Sequence, residues 1–260
     1  MLDPLTTALA AAREGAAVLL EHAHRPLEIQ EKGRRADIVT AADRASERAV
    51  LSRLRSDFPN AAMLAEESGS AAGTSDERWI VDPLDGTTNY AHGYPVYSIS
   101  IAYERAGKLL AGVVYAPALN ECFATELGGG AWLNERKVQV SAIDHAADAL
   151  TCTGFHPADF ERNARYFAIA SAHVQGVRRD GSAALDMAST ACGRFDGFWE
   201  FDLNAWDVAA GILLVREAGG RVTRVDGGTV TVDGRSILAT NGIIHDELQG
   251  ILRAADKRAP

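Results

Sequence analysis

The order of elements in this chain predicts an α+β fold built in layers. Two helical segments come first, five short strands separated by tight turns follow, and the second half alternates strand with helix. Residues 5–22 and 42–58 carry apolar side chains at helical spacing and make the first helix pair. Apolar runs at 61–65, 79–81, 96–103, 109–115 and 121–125 read as strands, with Gly107-Lys108 as a hairpin turn. A strand over 150–153 then leads to helices over 159–173 and 182–192. A strand over 197–201, a helix over 207–218, strands over 221–225 and 237–239 and a last helix over 243–254 complete the pattern. Gly219-Gly220 ends the penultimate helix, because glycine accepts the left-handed backbone of a helix stop. No long linker, low-complexity segment or internal repeat interrupts this order.

A chain of 260 residues can bury a large core and fold as one or two lobes. The net charge of −9 argues against a nucleic-acid surface, although Arg178-Arg179 makes a local basic patch. The amino-terminal segment carries Asp3, Arg13 and Glu14, and its longest apolar run, 16–20, is too short for a signal peptide or a membrane span. The expected compartment is the cytoplasm, with no membrane partner. Cys122, Cys152 and Cys192 form no metal-binding spacing and read as free, mostly buried thiols. His22 and His24, two apart on a helix, do not share a face.

The most informative stretch is Asp82-Pro83-Leu84-Asp85-Gly86-Thr87-Thr88, where two carboxylates end an apolar run and are followed by a glycine and two hydroxyls. Hard oxygen ligands at this spacing suit Mg²⁺. Pro83 prevents the ladder from continuing, so Asp82 and Asp85 should turn toward one point, and Leu84 can add its carbonyl. Gly86 allows close approach of a ligand, and a helix opening at Thr87 and Thr88 would offer amide donors to an anion. Taken alone, such a pair is equally a turn with a helix cap. Glu66 and Glu67 lie just beyond the strand at 61–65. Asp207 leads into the apolar helix, where it reads as an N-terminal helix charge or as a fourth carboxylate.

Five blocks together resemble the inositol monophosphatase family of Mg²⁺-dependent, Li⁺-sensitive phosphatases. They are Ala36-Asp37-Ile38-Val39-Thr40-Ala41-Ala42-Asp43, Glu66-Glu67-Ser68, residues 79–89, Gly181-Ser182-Ala183-Ala184 and Trp206-Asp207-Val208-Ala209-Ala210-Gly211. The resemblance implies an αβαβα sandwich, shared with fructose-1,6-bisphosphatase, with an amino-terminal lobe over 1–145 and a carboxy-terminal lobe over 146–260. It implies two Mg²⁺ ions, about 3.5–4 Å apart as in other two-metal sites. Glu66, Asp82 and the Leu84 carbonyl would hold one ion, and Asp82, Asp85 and Asp207 the other. Glu67 would hold a third, weaker ion, unless it is a solvated loop residue.

By the same resemblance a metal-activated water attacks the phosphate monoester directly, with Glu66 at the water and with Thr87 and Asp43 as proton relay. Asp43 also reads as a capping residue after Thr40. Lys32 and Asp37 match a mobile loop that closes the site, although residues 32–35 could equally be a solvated basic loop. Asp85, Gly86, Thr87, Gly181, Ser182, Ala183 and Glu200 would contact substrate, with Glu200 accepting hydrogen bonds from polyol hydroxyls. Inositol 1-phosphate is the favoured substrate. Fructose 1,6-bisphosphate, histidinol phosphate and 3′-phosphoadenosine 5′-phosphate are the alternatives within the resemblance, which further implies a homodimer. A regulatory role on an RNA-polymerase complex is a reading of a different class.

Overall fold

The computed structural model describes residues 2–23, 29–34, 37–155 and 159–256, with the backbone alone for 29–34 and 37. Helix α1, Pro4–His22, opens with Asp3 accepting from the Thr6 amide at 2.8 Å and with proline in its first turn. Ala8, Ala11, Ala12, Ala16 and Leu19 give it one buried face. Strands β1, Ile29–Arg34, and β2, Asp37–Thr40, pair antiparallel with Ile29 opposite Thr40, so the segment expected as a loop carries a two-stranded ribbon. Thr40 then caps α2, Ala41–Asp57, which packs beside α1.

The first sheet contains β3 (Ala62–Ala65), β4 (Gly69–Ala71), β5 (Glu77–Asp85), β6 (Ser98–Arg105), β7 (Lys108–Ala116), β8 (Glu121–Glu126), β9 (Gly130–Leu133) and β10 (Arg136–Val138). Its order is β10-β9-β8-β7-β6-β5-β3-β4, antiparallel except for the β3–β5 pair. Helix α3, Thr87–Ala91, lies between β5 and β6 in the chain. Period-two alternation sends Trp79, Val81, Ile99, Ile101 and Tyr103 into one core with α1 and α2. Ile80, Ala102, Val114 and Phe123 point the other way, into a second core.

That second core is shared with α5, Ala183–Ala191, and α6, Ala205–Glu217, and with the inner face of a five-stranded sheet. This sheet contains β11 (Leu150–Thr153), β12 (Gly176–Arg178), β13 (Gly197–Phe201), β14 (Arg221–Thr223) and β15 (Ser236–Thr240), in the order β12-β11-β13-β15-β14. Phe198, Ile237 and Ala239 face α5 and α6. Trp199, Phe201 and Leu238 face the outer helices α4, Phe160–Ser171, and α7, His245–Arg253. The layers therefore run helix, sheet, helix, sheet, helix, the αβαβα arrangement implied by the resemblance. No helix among the described residues is long and apolar enough to cross a membrane.

One departure from expectation shapes the site. Pro83 does not end β5; the strand continues to Asp85 with a register shift in its pairing to β6, Asp82 lying opposite Ser100 and Asp85 opposite Ser98. Residues three apart in a regular strand face opposite sides, and one extra residue restores them to the same side. The bulge absorbs the missing proline amide and brings both carboxylates together.

Candidate metal and phosphate site

Four segments converge at the end of β5: the turn after β3, the bulge itself, and the first turns of α2 and α6. Asp82 is buried, and its Oδ1 accepts from the Leu84 amide at 3.0 Å. Burial pushes its carboxyl well above the usual range, and the nearby charges of Glu66, Asp85 and Asp207 push it further. Asp207 is raised to about 8, chiefly by burial and then by Asp85, while the Asn204 amide opposes the shift. Asp85 rises to about 6 through burial, against hydrogen bonds that favour its charged form. Its Oδ2 accepts from Ser182 Oγ at 2.6 Å and from the Ala184 amide at 2.8 Å, so the start of α5 holds it. Glu66, Asp85 and Asp207 keep part of their surface exposed.

Asp43 and Asp207 both cap helices, as one reading of each expected. Each is the third residue of its helix. Asp43 Oδ2 accepts from the Thr40 amide at 2.8 Å and from Thr40 Oγ1 at 2.6 Å, which caps α2. Its Oδ1 remains for Thr87 Oγ1, at 2.8 Å. Asp207 Oδ2 accepts from the Asn204 amide at 2.7 Å, because α6 begins at Ala205 and not at Asp207 itself. Thr87 Oγ1 also lies 3.1 Å from the Leu84 carbonyl. Gly86 has φ of +94°, and a Cβ there would stand 3.0 Å from the Val96 carbonyl, so the tight approach needs glycine.

On the opposite wall, β13 presents Glu200 beside Gly154, where a Cβ would lie 2.0 Å from Glu200 Oε1. Burial raises the Glu200 carboxyl well above its usual range, reinforced by Asp207 and Asp85 and opposed by Arg179. Asn89 Nδ2 donates to the carbonyls of Val96 and Asp180, each at 2.7 Å, and ties the Gly181 segment to the first sheet. Of the block at 181–183, Ser182 acts directly on Asp85, while Gly181 and Ala183 supply the backbone that leads into α5. The side chains of Lys32 and Asp37 lie outside the described residues.

The sequence reading missed several residues. Ser46 Oγ donates to the Pro83 carbonyl at 2.9 Å, and Glu47 Oε2 accepts from the Glu67 amide at 2.9 Å. Both are buried on α2, three and four residues after Asp43, a helical spacing that could have marked them. Cys152, Asp180 and Asp186 also meet, with one ligand-type atom of each within 4.8 Å of the others. The Cys152 thiol hydrogen-bonds Asp186 there, a proximity invisible in cysteine spacing.

The donor set at the bulge is carboxylate and carbonyl oxygen, and its members repel one another unless protons or cations intervene. Hard divalent cations fit such a set.

Comparison with known proteins adds to this geometry. The sequence model described as the inositol monophosphatase family matches residues 1–257. An inositol-1-monophosphatase of Mesorhizobium japonicum is 45% identical over 228 residues, covering 85% of this chain and 84% of that protein. A fructose-1,6-bisphosphatase/inositol-1-monophosphatase of Thermotoga maritima is 36% identical over 247 residues, covering 95% and 94%. The crystal structure of the extragenic suppressor protein suhB of Bartonella henselae superposes with a TM-score of 0.92 at 41% identity, covering 95% of this chain and 97% of that one.

Proposed function

The chain belongs to the inositol monophosphatase family, phosphatases that hydrolyse phosphate monoesters, and on that premise we propose that it is a Mg²⁺-dependent inositol-1-monophosphatase. The observation that carries the metal reading is the environment of Asp82, whose strongest charged neighbours, Glu66, Asp85 and Asp207, are all acidic. Glu66, Asp82 and the Leu84 carbonyl would hold one ion, Asp82, Asp85 and Asp207 a second, and Glu67 a weaker third. When bound, the ions supply charge neutralisation at the phosphate and acidify water.

The chain's own residues do the rest. Thr87 Oγ1, hydrogen-bonded to Asp43 Oδ1, is placed to accept a proton from the attacking water while passing its own to Asp43. Water attacks phosphorus, the ester P–O bond breaks with its electron pair going to the leaving oxygen, that oxygen takes a proton from solvent water, and Asp43 returns its proton to solvent. Gly86 and Thr87 line the phosphate side. Gly181, Ser182 and Ala183 line the sugar side with Asp85, and Glu200 accepts from ring hydroxyls. By the family resemblance, Lys32 and Asp37 would help close the site. Li⁺ inhibition, a homodimer and a cytoplasmic location belong to the same reading, the last supported by three free cysteines. The change of sheet between Val138 and Leu150 supports a lobe boundary near residue 145.

Phosphate release at equal Mg²⁺ tests the reading. Inositol 1-phosphate should give a higher kcat/KM than fructose 1,6-bisphosphate, histidinol phosphate or 3′-phosphoadenosine 5′-phosphate. A different best substrate overturns the inositol assignment, and no release from any of them overturns the phosphatase.

A further inference from the structure

We propose that Glu47 is the positioning residue that fixes the turn carrying Glu66 and Glu67, and thereby sets how tightly the site holds a divalent cation; this rests on the metal reading given above. The argument starts from helix α2. Its inward face is apolar toward the carboxy-terminal end, with Val50, Leu51 and Leu54 buried. One turn earlier the same face carries Asp43, Ser46 and Glu47, which are 0%, 0% and 5% exposed. Burying three polar side chains on one helix face is costly unless each finds a partner. Each does, and each partner belongs to a different segment of the site: Thr87 for Asp43, the Pro83 carbonyl for Ser46, and the Glu67 turn for Glu47.

The Glu47 contact has the largest consequence for a ligand residue. The Glu66 amide makes a ladder-type bond to the Val81 carbonyl at 3.2 Å, and β3 ends at Ala65. The chain then reverses into β4 at Gly69, which has φ of +73°. Between these points the Glu67 and Ser68 amides both point at Glu47 Oε2, at 2.9 and 3.4 Å. A single carboxylate oxygen therefore replaces the sheet as acceptor for the two residues that follow Glu66. Taking it away removes the shared acceptor of both amides, and with it a restraint on how the Glu66 carboxylate approaches Asp82. Partners of this indirect kind typically change metal affinity by about 10–100-fold when removed.

Three variants of the full chain separate position from charge, read by calorimetric Mg²⁺ titration and by Mn²⁺ electron paramagnetic resonance. Glu47→Ala should weaken binding about 10–100-fold. Glu47→Gln keeps an acceptor oxygen at the same reach and should stay within about threefold of wild type. Glu47→Asp keeps the charge but is one methylene short, and should lose affinity as alanine does. At saturating Mg²⁺ the kcat of all three should recover to within a few-fold, so the defect lies in the activation constant. If Glu47→Ala fails to fold, the Gln and Asp pair still decides. Wild-type affinity in Glu47→Asp, or equal loss in Gln and Asp, overturns the positioning role. A wild-type protein that binds no divalent cation would instead overturn the metal reading on which it rests.

Discussion

Thr87 Oγ1 donates to Asp43 Oδ1 at 2.8 Å, so on the proposed relay its removal should strike turnover rather than binding. Thr87→Ala is expected to lower kcat by about 10² or more, the usual scale for proton relay, with Mg²⁺ affinity unchanged by calorimetry. Lost Mg²⁺ binding would make Thr87 structural. Glu200 calls for a substrate comparison. Glu200→Ala should reduce kcat/KM on inositol 1-phosphate about tenfold to a hundredfold, as for loss of a hydrogen bond to a charged group, and leave a simple aryl phosphate nearly unaffected. Equal losses on both would show that Glu200 supports the fold. Asp82, Asp85, Thr87, Glu66 and Asp207 could be picked out as candidates in sequence because each lies in a short block of recognisable chemistry. Ser46 and Glu47 were not, since a polar residue on a helix is written the same way whether it meets solvent or a buried amide.

At the level of elements, α7 is joined to its sheet by a buried imidazole. His245 Nδ1 lies 2.9 Å from Thr240 Oγ1 and Nε2 lies 2.9 Å from Thr223 Oγ1, on β15 and β14. Burial and the Arg221 charge lower its pKa to about 4, with Asp246 opposing. An unfolded histidine titrates near 6.5, so between about 6.5 and 4 the unfolded chain binds the extra proton and stability falls as pH falls. The slope contributed by one group is at most about 1.4 kcal/mol per pH unit. Urea unfolding of wild type and His245→Gln should therefore converge on acidification through this window. A stability difference that does not change with pH would remove histidine from the account. Long periodic elements such as α1, α2, β6 and β7 were readable from pattern alone. Strands β4, β10 and β12, of three residues each, are too short to hold a period, and the continuation of β5 past Pro83 depends on a bulge that only the partner strand reveals.

For the whole molecule, the proposed metal reading makes divalent ions a stability term as well as a chemical one, because the acidic groups around Asp82 repel one another. Mg²⁺ at about a hundred times its dissociation constant adds about 2.7 kcal/mol per site, which at this chain length is about 5–10 °C in melting temperature. Calorimetry of chelator-treated protein with Mg²⁺, against NaCl at equal ionic strength, checks this. Melting that ignores Mg²⁺ would sink the metal site. Layer order was legible only through family resemblance, since local pattern says which residues are strand and not which strands are neighbours. The hydrogen bonds from Ser182 and Ala184 to Asp85 span 97 and 99 positions of chain. In time rather than space, this means that a ribosome must finish most of the protein before that carboxylate can be seated. Asp207 arrives later still. A chain made only as far as Val138 contains every strand of the first sheet but lacks Ser182, Ala184 and Asp207, so the carboxylate cluster at the end of β5 is incomplete until those residues are made.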